Sequence, residues 1–194
     1  MAAECGAVDV SVIGLRLLVA GILLRAAVGK ARAPSGVIAF ISEVLGAKAT
    51  GRSAQIAGLL VVGELFAGIA ILAGVQVGLI SALVAAMMIG FAVVLFVLRV
   101  RGSKIDCGCF GGDGAEGRSG TSAIVRNVTI AAGAGAIASQ AVMGPASCAS
   151  RPVWALAVDE LAVGALLAVT AWLFWVLIAG VVSLQVAPKA NHDR

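Results

Sequence analysis

Cys107 and Cys109 stand two residues apart in residues 105–114, IDCGCFGGDG, inside an otherwise oily chain. Cysteines at this spacing can bring their Cα atoms within the roughly 4.4 to 6.8 Å that a disulfide allows, but the closed ring is small and strained. Strain makes such a bond readily reducible, which suits a transfer pair better than a permanent staple. Gly108, Gly111 and Gly112 permit a sharp turn. Thiol exchange also needs thiolate, and nearby cations favour it; Arg101, Lys104 and Arg126 are the local candidates. Two other readings stay open on spacing alone. One is a Gly-rich interhelical turn whose cysteines are small packing residues. The other, a metal clamp, is the weaker, because a closed zinc site wants four Cys or His ligands. The only histidine, His192, lies in a polar tail, so no metal site is assigned.

A second set of chemistry-bearing residues lies within apolar stretches. Ionisable groups at membrane depth are costly and usually face the bundle interior with a partner or line a path. Glu64 sits near the middle of one such stretch, and Arg16 and Arg25 lie in another. Nine residues separate the two arginines, which at about 100° per residue puts them on opposite helix faces. At most one should reach Glu64, and Arg25 is the expected partner. A purely structural ion pair joining two helices explains these charges as well as a functional one. Asp159 and Glu160 fit the first turns of a last helix, where the dipole favours acids.

The elements that must hold these residues are transmembrane helices. The 194 residues are 61% hydrophobic and only 12% charged, with a mean hydropathy of +1.08, and a soluble domain carries about twice that charge fraction. No charge occurs between Glu64 and Arg99, between Arg126 and Arg151, or between Glu160 and Lys189. Runs of about 18 or more uncharged apolar residues are long enough to cross a bilayer. The fold expected is all-α, a polytopic bundle of about five spans near residues 10–29, 54–72, 77–98, 122–143 and 153–186. Residues 1–9 form a short tail, Pro152 marks a helix start, and 187–194 form a polar tail. Residues 73–78, AGVQVG, make a tight hairpin between the second and third spans. Gly58, Gly63, Gly68, Gly133 and Gly135 support close helix packing. The acidic start, with Glu4 and Asp9, and Arg16 in the apolar stretch behind it argue for a retained first helix rather than a signal peptide.

With five spans, the loops after the first and third share a side with the C-terminal tail. That side holds Lys30, Arg32, Lys48, Arg52, Arg99, Arg101, Lys104, Arg118 and Lys189. The positive-inside rule puts it in the cytoplasm, with the N-terminus outside and the Cys-Gly-Cys loop at the inner face of the cell membrane. The net charge of +4 reflects these loops, and the partner it implies is the lipid bilayer rather than nucleic acid. Cys5 and Cys148 fall on the opposite side, free to pair with each other or to stay unpaired.

Taken together, LRLLVAGILLRAAVGKAR, GELFAG with Glu64, and VRGSKIDCGCFG leading to IVRNV resemble the methylamine utilisation protein MauE family, within the wider DoxX-like membrane proteins. The resemblance runs from about residue 15 to residue 128. It implies a four-helix core, to which the C-terminal helix is added, and an association with thiol–disulfide chemistry. In the methylamine system such a protein is thought to help an extracytoplasmic amine dehydrogenase subunit acquire its disulfides, alongside a thioredoxin-like partner. Carried over, Cys107 and Cys109 are the redox pair, with Lys30, Glu64, Arg126 and Asn127 at matching support positions. Beyond Pro34 itself, residues 34–55 lack the tyrosine and proline expected there, and Cys5 and Cys148 fall outside the shared pattern. The implied outward chemistry conflicts with the inward placement of the pair by loop charge.

The leading reading is therefore a membrane thiol–disulfide exchange protein with a thioredoxin-like partner. Its competitors are a non-catalytic assembly subunit and a small transporter or thiophilic-metal carrier. No cofactor is evident, and a quinone acceptor has no fingerprint here. Phosphate loops and histidine-activated nucleophiles are missing from the sequence.

Overall fold

The computed structural model describes residues 7–45, 50–101, 120–143, 152–156, 158, 161–166 and 168–170. Five α-helices carry the fold: α1 Ala7–Arg32, α2 Pro34–Leu45, α3 Thr50–Ala73, α4 Val77–Val100 and α5 Gly120–Met143. No strand occurs among the described residues. Successive long helices run antiparallel, which the contacts record. Lys30 of α1 meets Glu64 of α3 while Arg16 meets Ile71; an alanine at Gly78, early in α4, would touch Ala141, late in α5. The C-terminal ends of α1 and α4 and the N-terminal ends of α3 and α5 therefore lie at one end of the bundle.

α1 stops at Arg32 because Ala33 precedes Pro34, and a residue before proline is pushed out of the helical region. Pro34 then opens α2, where its missing N–H costs nothing. This short helix was not expected, since residues 30–53 read as a loop. Its pattern is nevertheless amphipathic, with Val37, Phe40 and Ile41 buried at i, i+3 and i+4. They pack with Ala57 of α3, Leu95 and Leu98 of α4 and Ala123 of α5. Ser42 donates to Ser53 at 3.0 Å, tying α2 to α3. α2 thus fills the corner of the bundle beyond the end of α1, against α3, α4 and α5.

The hairpin expected at 73–78 is a three-residue turn, Gly74 to Gln76, between α3 and α4. The Val75 amide donates to the Ala70 carbonyl at 3.0 Å and the Gly74 amide to that of Ile71 at 3.3 Å, which is a Schellman ending. Gly74 supplies the left-handed residue this ending needs, at φ 73°.

α4 buries Val77, Ser81, Val84, Met88, Ala92, Leu95 and Leu98, a stripe at spacings of three and four. The stripe lies against α5, whose small residues Ala131 and Ala134 are buried. Of the five glycines expected to bring helices together, two do so. A Cβ on Gly68 would come within 3.0 Å of Leu24, and one on Gly133 within 3.3 Å of Leu15; Gly58, Gly63 and Gly135 face open space.

Among the described residues three helices are long and apolar enough to cross a membrane, Val10–Arg32, Gly51–Ala73 and Val77–Val100, against about five expected over the whole chain. α5 matches them in length, but Arg126, Asn127, Thr129, Ser139 and Gln140 lower its hydropathy. The helix expected to begin at 153 does not begin there: Val153–Ala155 is a single 3-10 turn that ends in extended backbone at Leu156. A shorter apolar helix, Leu161–Thr170, follows. It lies against α1, because a Cβ on Gly164 would sit 2.8 Å from Ile13. Residues 171–186 of the expected fifth span lie outside the described residues. The outward faces of α3 and α4 are apolar, with Leu59, Val62, Phe66, Leu79, Leu83 and Phe96 all exposed. So large an apolar surface suits lipid rather than water.

Candidate functional site

Four polar residues meet where the four long helices converge. Lys30 comes from the last turn of α1, Glu64 from the middle of α3, and Arg126 and Asn127 from the second turn of α5. Lys30 Nζ donates to both carboxylate oxygens of Glu64 at 2.5 Å. Both residues are almost wholly enclosed, Lys30 at 3% exposure and Glu64 at 1%. A buried ion pair holds only when the geometry satisfies both partners, because desolvating two charges is expensive. Here one ammonium serves two oxygens, so neither carboxylate lone pair set is abandoned.

Arg126 and Asn127 line the same small cavity as Lys30 and Glu64, closed on the α4 side by Met88 and Phe91. Its volume is about 20 Å³, room for a single water-sized species. Asn127 is 4% exposed, and its Nδ2 has no hydrogen-bond partner among the described residues.

This polar layer separates two apolar cores. On one side lies the cluster of Val19, Leu23, Ile71, Val84, Met88 and Ile137. On the other lies the α2 cluster of Val37, Phe40, Ile41, Leu95 and Leu98. Phe91 packs against both. The second cluster lies between the charges and the end of the bundle from which residues 102–119 leave α4 and return to α5.

The expected partner of Glu64 was Arg25, and the pairing falls instead to Lys30. Lys30 lies five residues beyond Arg25, about 140° further round the helix, and it is this face that turns inward; Arg25 is exposed. Arg16 is as deeply buried as Glu64 but works elsewhere. It donates to the Ile71 carbonyl at 2.7 Å, in the last turn of α3, where the helix dipole favours a cation. Lys30, Glu64, Arg126 and Asn127, the four support positions drawn from the family pattern, are brought together around one cavity. Cys107 and Cys109 lie outside the described residues, as do Cys5, Cys148, Asp159, Glu160 and His192. The contribution of α4, through Met88 and Phe91, was not anticipated. No charge or motif marks these two residues, and only the i, i+3 register of α4 could have pointed to them.

No curated protein and no solved structure matches the chain. The family comparison does find a match: the model of the methylamine utilisation protein MauE covers residues 8–140, a wider stretch than the motifs alone span, and includes every residue of the polar layer and the whole Cys-Gly-Cys segment. With most of its length matched in this way, the chain belongs to the MauE family.

Proposed function

We propose that this protein is a membrane partner in thiol–disulfide exchange, with Cys107 and Cys109 as the exchanging pair and a thioredoxin-like protein as its counterpart. The observation that carries the reading is the family match over residues 8–140, a range that takes in residues 105–114, joined to two cysteines at a strained spacing. In the exchange, the thiolate of one cysteine attacks the partner's disulfide and forms a mixed disulfide. The second cysteine then attacks that bond. The partner leaves as a dithiol and Cys107–Cys109 as a disulfide, so two electrons and two protons change hands with no outside oxidant. The reverse sequence delivers a disulfide to the partner, and through it to a client such as an amine dehydrogenase subunit.

In this reading the polar layer is a scaffold. Lys30, Glu64, Arg126 and Asn127 fix α1, α3 and α5 against one another, so that α4 and α5 present the loop between them at a set distance. The host is the cell membrane. Arg32, Arg52, Arg99 and Arg101 gather at the end carrying that loop, which by the positive-inside rule faces the cytoplasm, with the N-terminus outside.

The test is acid quenching of cells followed by alkylation of free thiols and separation of the redox forms. A Cys107–Cys109 disulfide that forms with oxidant and disappears with reductant is expected, together with a mixed disulfide trapped by Cys109→Ser or Cys107→Ser. A pair that stays reduced under every tolerated oxidant overturns the proposal.

A further inference from the structure

We propose that the cavity beside the Lys30–Glu64 pair is the site of one internal water, which accepts from the Nδ2 of Asn127, donates to the carboxylate of Glu64 and so joins α5 to α3. Asn127 and Glu64 line the same cavity, yet neither bonds directly to the other. The Nδ2 of Asn127 is buried with no hydrogen-bond partner among the described residues, and a buried donor left in this way costs the full desolvation of the group. Each oxygen of Glu64 takes one bond from Lys30, whereas a carboxylate offers about four lone-pair sites. Acceptor capacity therefore remains. A donor and an acceptor that share a cavity without touching are the arrangement a bridging water serves.

Charge and size narrow the ligand to water. Lys30 is paired with Glu64 and Arg126 is itself partnered, so the layer makes no demand for a further charge. An ion entering it would be stripped of water between two apolar cores, at a high cost in desolvation. The volume of about 20 Å³ exceeds the roughly 10–15 Å³ that one water requires and leaves no room for a larger molecule. Such a water also needs two to four polar partners, and Asn127 with the two oxygens of Glu64 supplies them. Its depth matters too. Glu64 lies nine residues from the Ala73 end of α3 and fourteen from the Thr50 end, about 14 and 21 Å along the axis. A water at that depth is well inside a hydrocarbon layer about 30 Å thick, so it is held by these side chains rather than shared with the surface.

This proposal does not depend on the thiol chemistry, and its test is run on the full-length protein in non-ionic detergent. Asn127 and Asn191 are the only asparagines in the chain, so asparagine-selective nitrogen-15 labelling of the Asn191→Ser form leaves one asparagine side-chain amide to observe. A rotating-frame cross-peak from water to the Hδ2 protons of Asn127 is expected, with the sign of a dipolar contact rather than of chemical exchange. This readout needs no change to the cavity. A second one displaces the water. Ala26 lines the cavity and carries no polar group, so Ala26→Val puts methyls where the water lies without replacing its hydrogen bonds. The cross-peak should vanish and the thermal midpoint should fall by about 2–8 °C, as a stranded buried donor in a chain of this size implies. Asn127→Leu in the same background removes that donor and should recover most of the loss. A parent protein without the dipolar cross-peak, or an Ala26→Val variant that keeps it or gains stability, as filling a dry void would give, overturns the proposal. So does an experimental structure in which the Nδ2 of Asn127 bonds directly to a protein group.

Discussion

Glu64 can stay at the centre of the bundle because Lys30 meets both of its oxygens. Removing one member leaves the other buried without its counter-charge, at a cost of about 3–5 kcal/mol, whereas replacing both with apolar residues of similar volume is often neutral. Glu64→Leu and Lys30→Met should each lower stability by that amount, and the double variant Lys30→Met/Glu64→Leu should recover most of the loss. Reversible unfolding in mixed micelles with rising SDS measures all three; strictly additive losses would refute the coupling. Arg25→Gln, on the exposed side of α1, should stay within about 0.5 kcal/mol of the parent in the same assay. The need of Glu64 for a cationic partner was legible from its place in an apolar run. Which cation it took was not, because Lys30 fell just past the expected end of the helix at residue 29, and α1 continues to Arg32. Three further residues, most of a turn, converted a loop lysine into an interior one.

At the scale of elements, the same lesson holds for the glycines and for α2. Composition alone makes Gly58 and Gly68 equivalent, yet a Cβ at Gly68 collides with Leu24 of α1 at 3.0 Å and one at Gly58 meets nothing within 4 Å. Gly68→Ala should therefore destabilise the α1–α3 contact by about 1–3 kcal/mol, as overpacking does. Gly58→Ala should be neutral or gain up to about 1 kcal/mol of helix propensity. Comparing the two unfolding midpoints checks both, and equal midpoints would contradict the close approach. Long helices with three- or four-residue periodicity, such as α4, were readable because the apolar stripe runs for six turns. α2 was missed because it has only 12 residues and is set off by a single proline in a stretch that otherwise reads as a loop. Its three inward residues make sense only once α1 is seen to end beneath it.

For the whole molecule, the antiparallel order of α1, α3, α4 and α5 sets the two ends of the bundle apart. The α3–α4 turn at Gly74–Gln76 belongs to one end, and the segment with Cys107 and Cys109 departs from the other. In a background lacking the other cysteines, Val75→Cys should be labelled by a membrane-impermeant maleimide from outside the cell, and Cys107 or Cys109 only after the inner face is opened. Labelling of both from one side would break the antiparallel order; an exchange of sides would keep the order and reverse the orientation inferred from loop charge. The helical membrane character was legible from charge-free runs alone. The helix expected as the fourth span falls short of the other three in hydropathy, because α5 trades apolar residues for the polar ones that build the site.

The two buried cations of α1 also bear on how the chain enters lipid during synthesis. Arg16 and Lys30 both meet their partners in α3, one at the Ile71 carbonyl and the other at Glu64. A lone α1 leaving the translocon would carry Arg16 well inside the helix, at up to about 2.5–3.5 kcal/mol, and Lys30 in its last turn at a smaller cost, and α3 would carry Glu64 near its middle. Together they cancel most of that burden. The physics therefore favours handing α1 to the bilayer only once α3 has emerged from the ribosome, so that the nascent chain inserts as a helical couple with α2 folded between its members. A quality-control protease that recognises unpaired intramembrane charge would accordingly see this protein only when that couple fails to form.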